Sequence, residues 1–141
     1  MTAKEFFKAY WAEKKEADAM ERRLKELRRK KESLQAVRHR ETPAGHDRKD
    51  LSDPIAAIDE LTEMYMRKVS AYMGKEAWIL DKLEEMDDAD ERTVLILRYN
   101  VEGKGNGNRP MSWYDIAEQM HYSKRKVQYI HGDALQHFPM E

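Results

Sequence analysis

Lys124, Arg125 and Lys126 stand together directly after Ser123, and Gln128 and Tyr129 follow within one turn of any helix that begins there. These side chains suit the neutralisation of phosphate and the reading of base edges. In a DNA major groove, Arg pairs with guanine and Gln with adenine, each through two parallel hydrogen bonds. Arg125 and Gln128 are therefore candidate base-reading residues, and Lys124 and Lys126 candidate phosphate contacts. Tyr129 suits a thymine methyl or a phosphate. Stability alone would not choose this placement, because a helix N-terminus carries about half a positive charge and a cation there costs up to about 0.3 to 1 kcal/mol. A nearby polyanion changes the balance: helix N-termini and basic side chains fix the register of DNA-binding proteins on the duplex. The alternative is a solvated basic turn without a ligand.

Two helix starts position these residues. In Met111-Ser112-Trp113-Tyr114-Asp115-Ile116, Ser112 is a cap, Asp115 an acid at the third helical position, and Met111 and Ile116 a hydrophobic staple. In Tyr122-Ser123-Lys124-Arg125-Lys126-Val127 the cap is Ser123 and the staple Tyr122 with Val127, but a lysine takes the acid's place. The pair predicts a helix-turn-helix whose second helix covers about 123–138. On a wheel of about 100° per residue, Val127, Ile130, His131, Ala134 and Phe138 form the buried face, and Arg125, Tyr129, Gly132 and Gln136 face away. Gly132 is costly inside a helix, which suggests either close approach of a DNA backbone or fraying near the helix end. His131 reads as a core or cap histidine. With His121 and His137 it has no metal-ligand spacing, and neither a metal nor another cofactor is expected.

Asp88-Ala89-Asp90-Glu91 opens a preceding helix through Arg98 and Tyr99, the back of the same unit. Between them lies a glycine-rich loop, residues 101–110. Lacking a preceding strand and a following Lys-Ser/Thr, it does not read as a phosphate cradle. It reads as a mobile linker, or as a hairpin-like projection touching a DNA backbone through Lys104 and Arg109. Trp113, in the first turn of its helix, is a further candidate for backbone contact.

The N-terminal half is different in character. Phe6, Tyr10, Ala17, Met20, Leu24, Leu27, Leu34 and Val37 recur mostly on three- and four-residue steps among charged residues, predicting one helix from about Thr2 to about Arg40. A polar connector, about 41–52, contains Pro43 and Gly45. Asp53-Pro54 reads as cap and first-turn proline of a second helix. Its stripe runs Ile55, Ile58, Thr62, Tyr65, Val69, Tyr72, Ile79, Leu83 and Met86, with Glu76 as polar exception and Gly74 as the mark of a close crossing or a kink. Residues 1–40 carry a net charge of +6 and residues 54–100 one of −5, so the two should attract as an antiparallel hairpin. Burying Phe7, Trp11 and Trp78 is where a second copy could be needed. The reading is all-α: a coiled-coil-like antiparallel hairpin over 1–86, for oligomerisation or partner binding, and a three-helix DNA-binding unit over 87–141.

Composition fits this reading without establishing it. The 141 residues are 38% charged and contain no cysteine, which excludes disulfides and thiolate metal sites. No apolar run approaches the ~20 residues of a membrane span, and the first residues lack a signal-peptide core, so a cytoplasmic protein is expected. Residues 101–141 are charge-balanced, so DNA affinity must come from local placement of charge.

The order Arg92-x-x-Leu95-x-x-Arg98-Tyr99, Trp113-x-x-Ile116-Ala117, then Tyr122-Ser123-x-x-x-Val127-x-x-Ile130-His131-x-x-Ala134-Leu135 resembles region 4 of bacterial sigma factors. More closely, it resembles a phage and prophage family akin to the ArpU and RinA type of transcriptional regulators. The opening Met1-Thr2-Ala3-Lys4-Glu5-Phe6 and the long helical half are also similar to that family. The resemblance implies binding to double-stranded DNA in transcriptional control of a phage or integrated element. Two features depart from the sigma pattern: His121 stands where the turn commonly has glycine, requiring a left-handed backbone, and the 101–110 loop is longer. The leading expectation is a non-enzymatic, sequence-specific DNA-binding regulator whose hairpin forms a homodimer or contacts RNA polymerase. The alternatives are a small terminase subunit or other DNA-packaging adaptor, and a helical protein-interaction module that never touches DNA. An enzyme is not expected, since no nucleophile-base pair or fixed carboxylate pair is visible.

Overall fold

The computed structural model describes residues 1–41, 49–105 and 109–141, with side chains described outside 38–54. Among these residues the protein is all-helical, with five α-helices and no strand. They are α1 (Ala3–Glu41), α2 (Lys49–Glu84), α3 (Ala89–Arg98), α4 (Trp113–Met120) and α5 (Lys124–His137). A 3₁₀ turn, Val101–Gly103, comes after α3. No helix among the described residues is long and apolar enough to cross a membrane.

Helix α2 begins at Lys49, inside the expected 41–52 connector, which corrects the start inferred at Asp53-Pro54. The proline therefore falls in the second turn. With no N–H to give the carbonyl of Asp50 four residues back, it forgoes one backbone hydrogen bond of the helix. The Pro43 and Gly45 of the connector lie outside the described residues.

Packing divides the chain into two compact units, residues 1–15 with 71–141, and residues 16–70. In the first, the opening turns of α1 run antiparallel to the end of α2. The Tyr10 hydroxyl donates to Glu76 Oε2 at 2.7 Å, and Lys75 Nζ donates to Glu13 Oε1 at 2.5 Å. Glu76 is thus polar within an apolar stripe because it accepts from a buried phenol, and burial followed by this carboxylate pushes the Tyr10 pKa up. Phe7, Tyr10, Ile79, Leu83, Leu95, Tyr99 and Phe138 share one core, to which the start of α1, the end of α2, α3 and the end of α5 all contribute. Phe7 is fully buried, its ring 4.8 Å from Tyr99 and 4.9 Å from Phe138. Trp78 sits between Phe6 and Phe138. The chain therefore covers Phe7 with its own C-terminal residues and needs no second copy to do so.

A second core, formed by Val94, Leu97, Met111, Ile116, Ala117 and Val127, joins α3, α4 and α5. Helix α3 thus packs on both sides, Leu95 and Tyr99 toward one core and Val94 and Leu97 toward the other. Asn100, 1% exposed and left-handed at φ 54°, fixes the path of the chain beyond α3. Its Oδ1 accepts from Gly105 N at 2.8 Å, and its carbonyl accepts from Lys14 Nζ at 2.9 Å. A Cβ on Gly105 would lie 2.9 Å from the Arg109 carbonyl oxygen, so glycine is needed there for close approach. The first half of the glycine-rich loop is consequently packed structure, whereas residues 106–108 lie outside the described set.

The second unit holds the remaining parts of α1 and α2, again antiparallel, with Lys68 Nζ 2.8 Å from Glu16 Oε2 and Ala17, Leu24 and Ile58 buried. Gly74, in the first unit, has open space where a Cβ would stand and lies within continuous α2. Neither a close crossing nor a helix break explains it.

Candidate nucleic-acid interface

The two capped starts form as their residues dictate. Ser112 Oγ accepts from Asp115 N at 3.1 Å, and Ser123 Oγ accepts from Lys126 N at 3.1 Å. Between α4 and α5 the chain turns at His121, whose φ of 59° and ψ of 38° are left-handed. That conformation lets the Tyr122 N–H reach the Ala117 carbonyl at 3.0 Å, closing α4 before α5 begins. Tyr122 then anchors the turn to α3, its hydroxyl donating to Asp90 Oδ2 at 2.6 Å.

Helix α5 is held from behind and open in front. Val127 and Ala134 are completely buried and Phe138 nearly so, while Ile130 and His131 are half-buried. Lys124, Arg125, Lys126, Gln128, Tyr129 and Gly132 are all exposed, Tyr129 at 60%. Arg125 Nη2 donates to the Tyr129 hydroxyl at 3.3 Å, with its guanidinium 5.7 Å from the ring centre. The Lys126 ammonium lies 4.0 Å above the Tyr122 ring. None of the three cations is in an ion pair among the described residues. Open space surrounds Gly132, and the helix continues five residues beyond it.

His131 belongs to the wall behind this face. Its Nε2 shares a 2.8 Å hydrogen bond with the Tyr99 hydroxyl, and its ring meets Trp113 edge-on at 4.8 Å. Burial first, then the Arg98 and Lys4 charges, push its pKa down to about 4, so the ring is neutral near pH 7. Helix α5 ends nearby, where His137 Nδ1 lies 2.8 Å from Oε1 of buried Glu91.

Of the candidate backbone contacts, Lys104 is exposed and lies 3.3 Å from Glu102, and Arg109 is exposed at the far end of its loop. Trp113 is half-buried, with the Arg98 guanidinium 4.1 Å from its ring centre. Arg98 also donates to the Met111 carbonyl at 3.1 Å. A groove of about 970 Å³ opens between these residues and the start of α1, and Gln128 forms part of its wall. Lys4, Lys8 and Trp11 complete it from the other side. Sequence reasoning did not single them out, because on a helix so rich in charge they are indistinguishable from a solvated face. The available signal was their helical spacing, which puts Lys4, Lys8 and Trp11 on one stripe. Among the described residues, no group of three or more His, Asp or Glu side chains could hold a metal ion.

Comparison with protein-family models, with curated proteins and with solved structures yields no match to this chain.

Proposed function

We propose that this chain is a non-enzymatic, sequence-specific binder of double-stranded DNA that regulates transcription in a phage or prophage setting. In this reading α3, α4 and α5 are a sigma region 4-like helix-turn-helix, and α5 is the recognition helix. The observation that carries it is the outward face of α5: Lys124, Arg125, Lys126, Gln128, Tyr129 and Gly132 are exposed together on a helix whose opposite face is locked into two cores. A recognition helix needs that combination, since its N-terminal half enters the major groove while a scaffold fixes its angle. Arg125 and Gln128 read base edges, Lys124 and Lys126 meet phosphates, and Tyr129 meets a thymine methyl or phosphate. The hairpin made by the rest of α1 and α2 serves self-association or a partner such as RNA polymerase.

Selection of bound duplexes from a random pool, followed by fluorescence anisotropy on the selected sequence, tests the reading. Arg125→Ala should lose about 1 to 3 kcal/mol of discrimination at one base pair, the worth of a bidentate contact. Equal binding of parent and variant to every duplex would remove Arg125 from the reading surface.

A further inference from the structure

The charge excess of the first helix is not consumed where charge complementarity would place it. The ion pairs seen between α1 and α2 have reversed polarity: Lys75 and Lys68 of α2 bind Glu13 and Glu16 of α1. Lys4 and Lys8 stay exposed, and neither is in an ion pair among the described residues. They stand one turn apart, with Trp11 and Lys15 continuing the same stripe and the Lys15 ammonium 5.2 Å from the Trp11 ring centre. Lys4, Lys8 and Trp11 form one bank of the groove whose other bank holds Arg98, Trp113 and Gln128. No carboxylate lines the groove among the described residues.

We infer that Lys4 and Lys8 are a second phosphate-binding bank, along which the backbone of a DNA duplex lies when α5 occupies its major groove. The inference rests on the DNA-binding reading above and extends it to a segment otherwise assigned to the hairpin. Two features select a duplex backbone over a compact anion. Lys4 and Lys8 are strung along one helix face, while Arg98 on the opposite bank is engaged by the Met111 carbonyl and the Trp113 ring, an arrangement that suits a linear array of charge. The groove is also continuous with the recognition face, because Gln128 is both a wall residue and an exposed residue of α5. Flanking phosphate contacts of this kind set register and orientation without reading sequence.

The test is the salt dependence of duplex binding by the full chain carrying Lys4→Gln and Lys8→Gln together. Each lysine on a phosphate contributes about 0.9 to the slope of log K against log salt, so the double variant should lose roughly 1.8 from that slope. The loss should be equal on selected and unrelated duplexes, with the ranking of sequences unchanged. Lys4→Arg with Lys8→Arg should restore the parental slope. Both lysines are exposed, so an unchanged Tm is expected and confirms that the fold persists. A parental slope in the glutamine variant would overturn the second bank while leaving the α5 reading intact. Indole fluorescence quenched by free mononucleotide, in a chain whose duplex slope ignores both lysines, would instead make the groove a small-ligand pocket. Absence of any salt-dependent duplex binding by the parent would overturn both this inference and the DNA-binding reading.

Discussion

Three residues behave in ways that their types alone do not dictate. Gly132 has nothing near its missing Cβ and sits in a regular part of α5, so Gly132→Ala should raise stability by about 0.5 to 1 kcal/mol through the unfolded chain. If a DNA backbone passes close to this point, the same change should weaken binding. Thermal melting and anisotropy on one sample separate the two effects, and a gain in Tm with unaltered affinity would place DNA elsewhere. His121 spends energy on a left-handed backbone that glycine adopts freely, so His121→Gly should stabilise the α4–α5 turn. A lower Tm for that variant would mean that the imidazole itself supports the turn. His131 couples stability to acid. Its folded pKa of about 4 lies below the unfolded value of 6.5, so the unfolded chain takes up the proton first as pH falls. The stability it contributes is present above the unfolded value and is lost as pH falls from about 6.5 to about 4. A series of melts across that window should fall less steeply for His131→Gln than for the parent. Identical slopes would assign the acid sensitivity to other groups.

At the scale of elements, the local signals for α3, α4 and α5 are strong because each start is written in adjacent residues. Asp88, Ser112 and Ser123 cap these helices through their own side chains, as their positions in the sequence lead one to expect. The start of α2 was harder to place. A cap-like pair favours a helix start without fixing it there, and the helix begins at Lys49, four residues before Asp53. The glycine-rich loop combined two different demands under one composition. Gly105 is required by a close backbone approach, whereas Gly103 is required by a φ of 71°. The Asn100 side chain, which accepts from Gly105, and Lys14, which holds the Asn100 carbonyl, distinguish packed structure from linker.

For the whole molecule, the unit carrying the candidate interface takes in both ends of what reads in sequence as a separate hairpin. Phe7 lies between Tyr99 and Phe138, so Phe7→Ala should cost about 3 to 5 kcal/mol and loosen α3 and α5 along with α1. Near-UV circular dichroism and urea unfolding of the full chain check this, and a loss confined to the α1–α2 pair would contradict the shared core. The sequence by itself determined the all-helical character, the caps of α3 to α5 and the division of α5 into inner and outer faces. All of these arise from interactions within a few residues, where periodicity and hydrogen-bond stereochemistry leave few choices. Only the tertiary structure decided that the opening turns of α1 belong to the core of the C-terminal helices, that Glu76 answers Tyr10, and that Lys4 and Lys8 face Trp113 across a groove. Those pairings join residues far apart in the chain, and a stripe of apolar or charged side chains states that a face will be covered without naming what covers it.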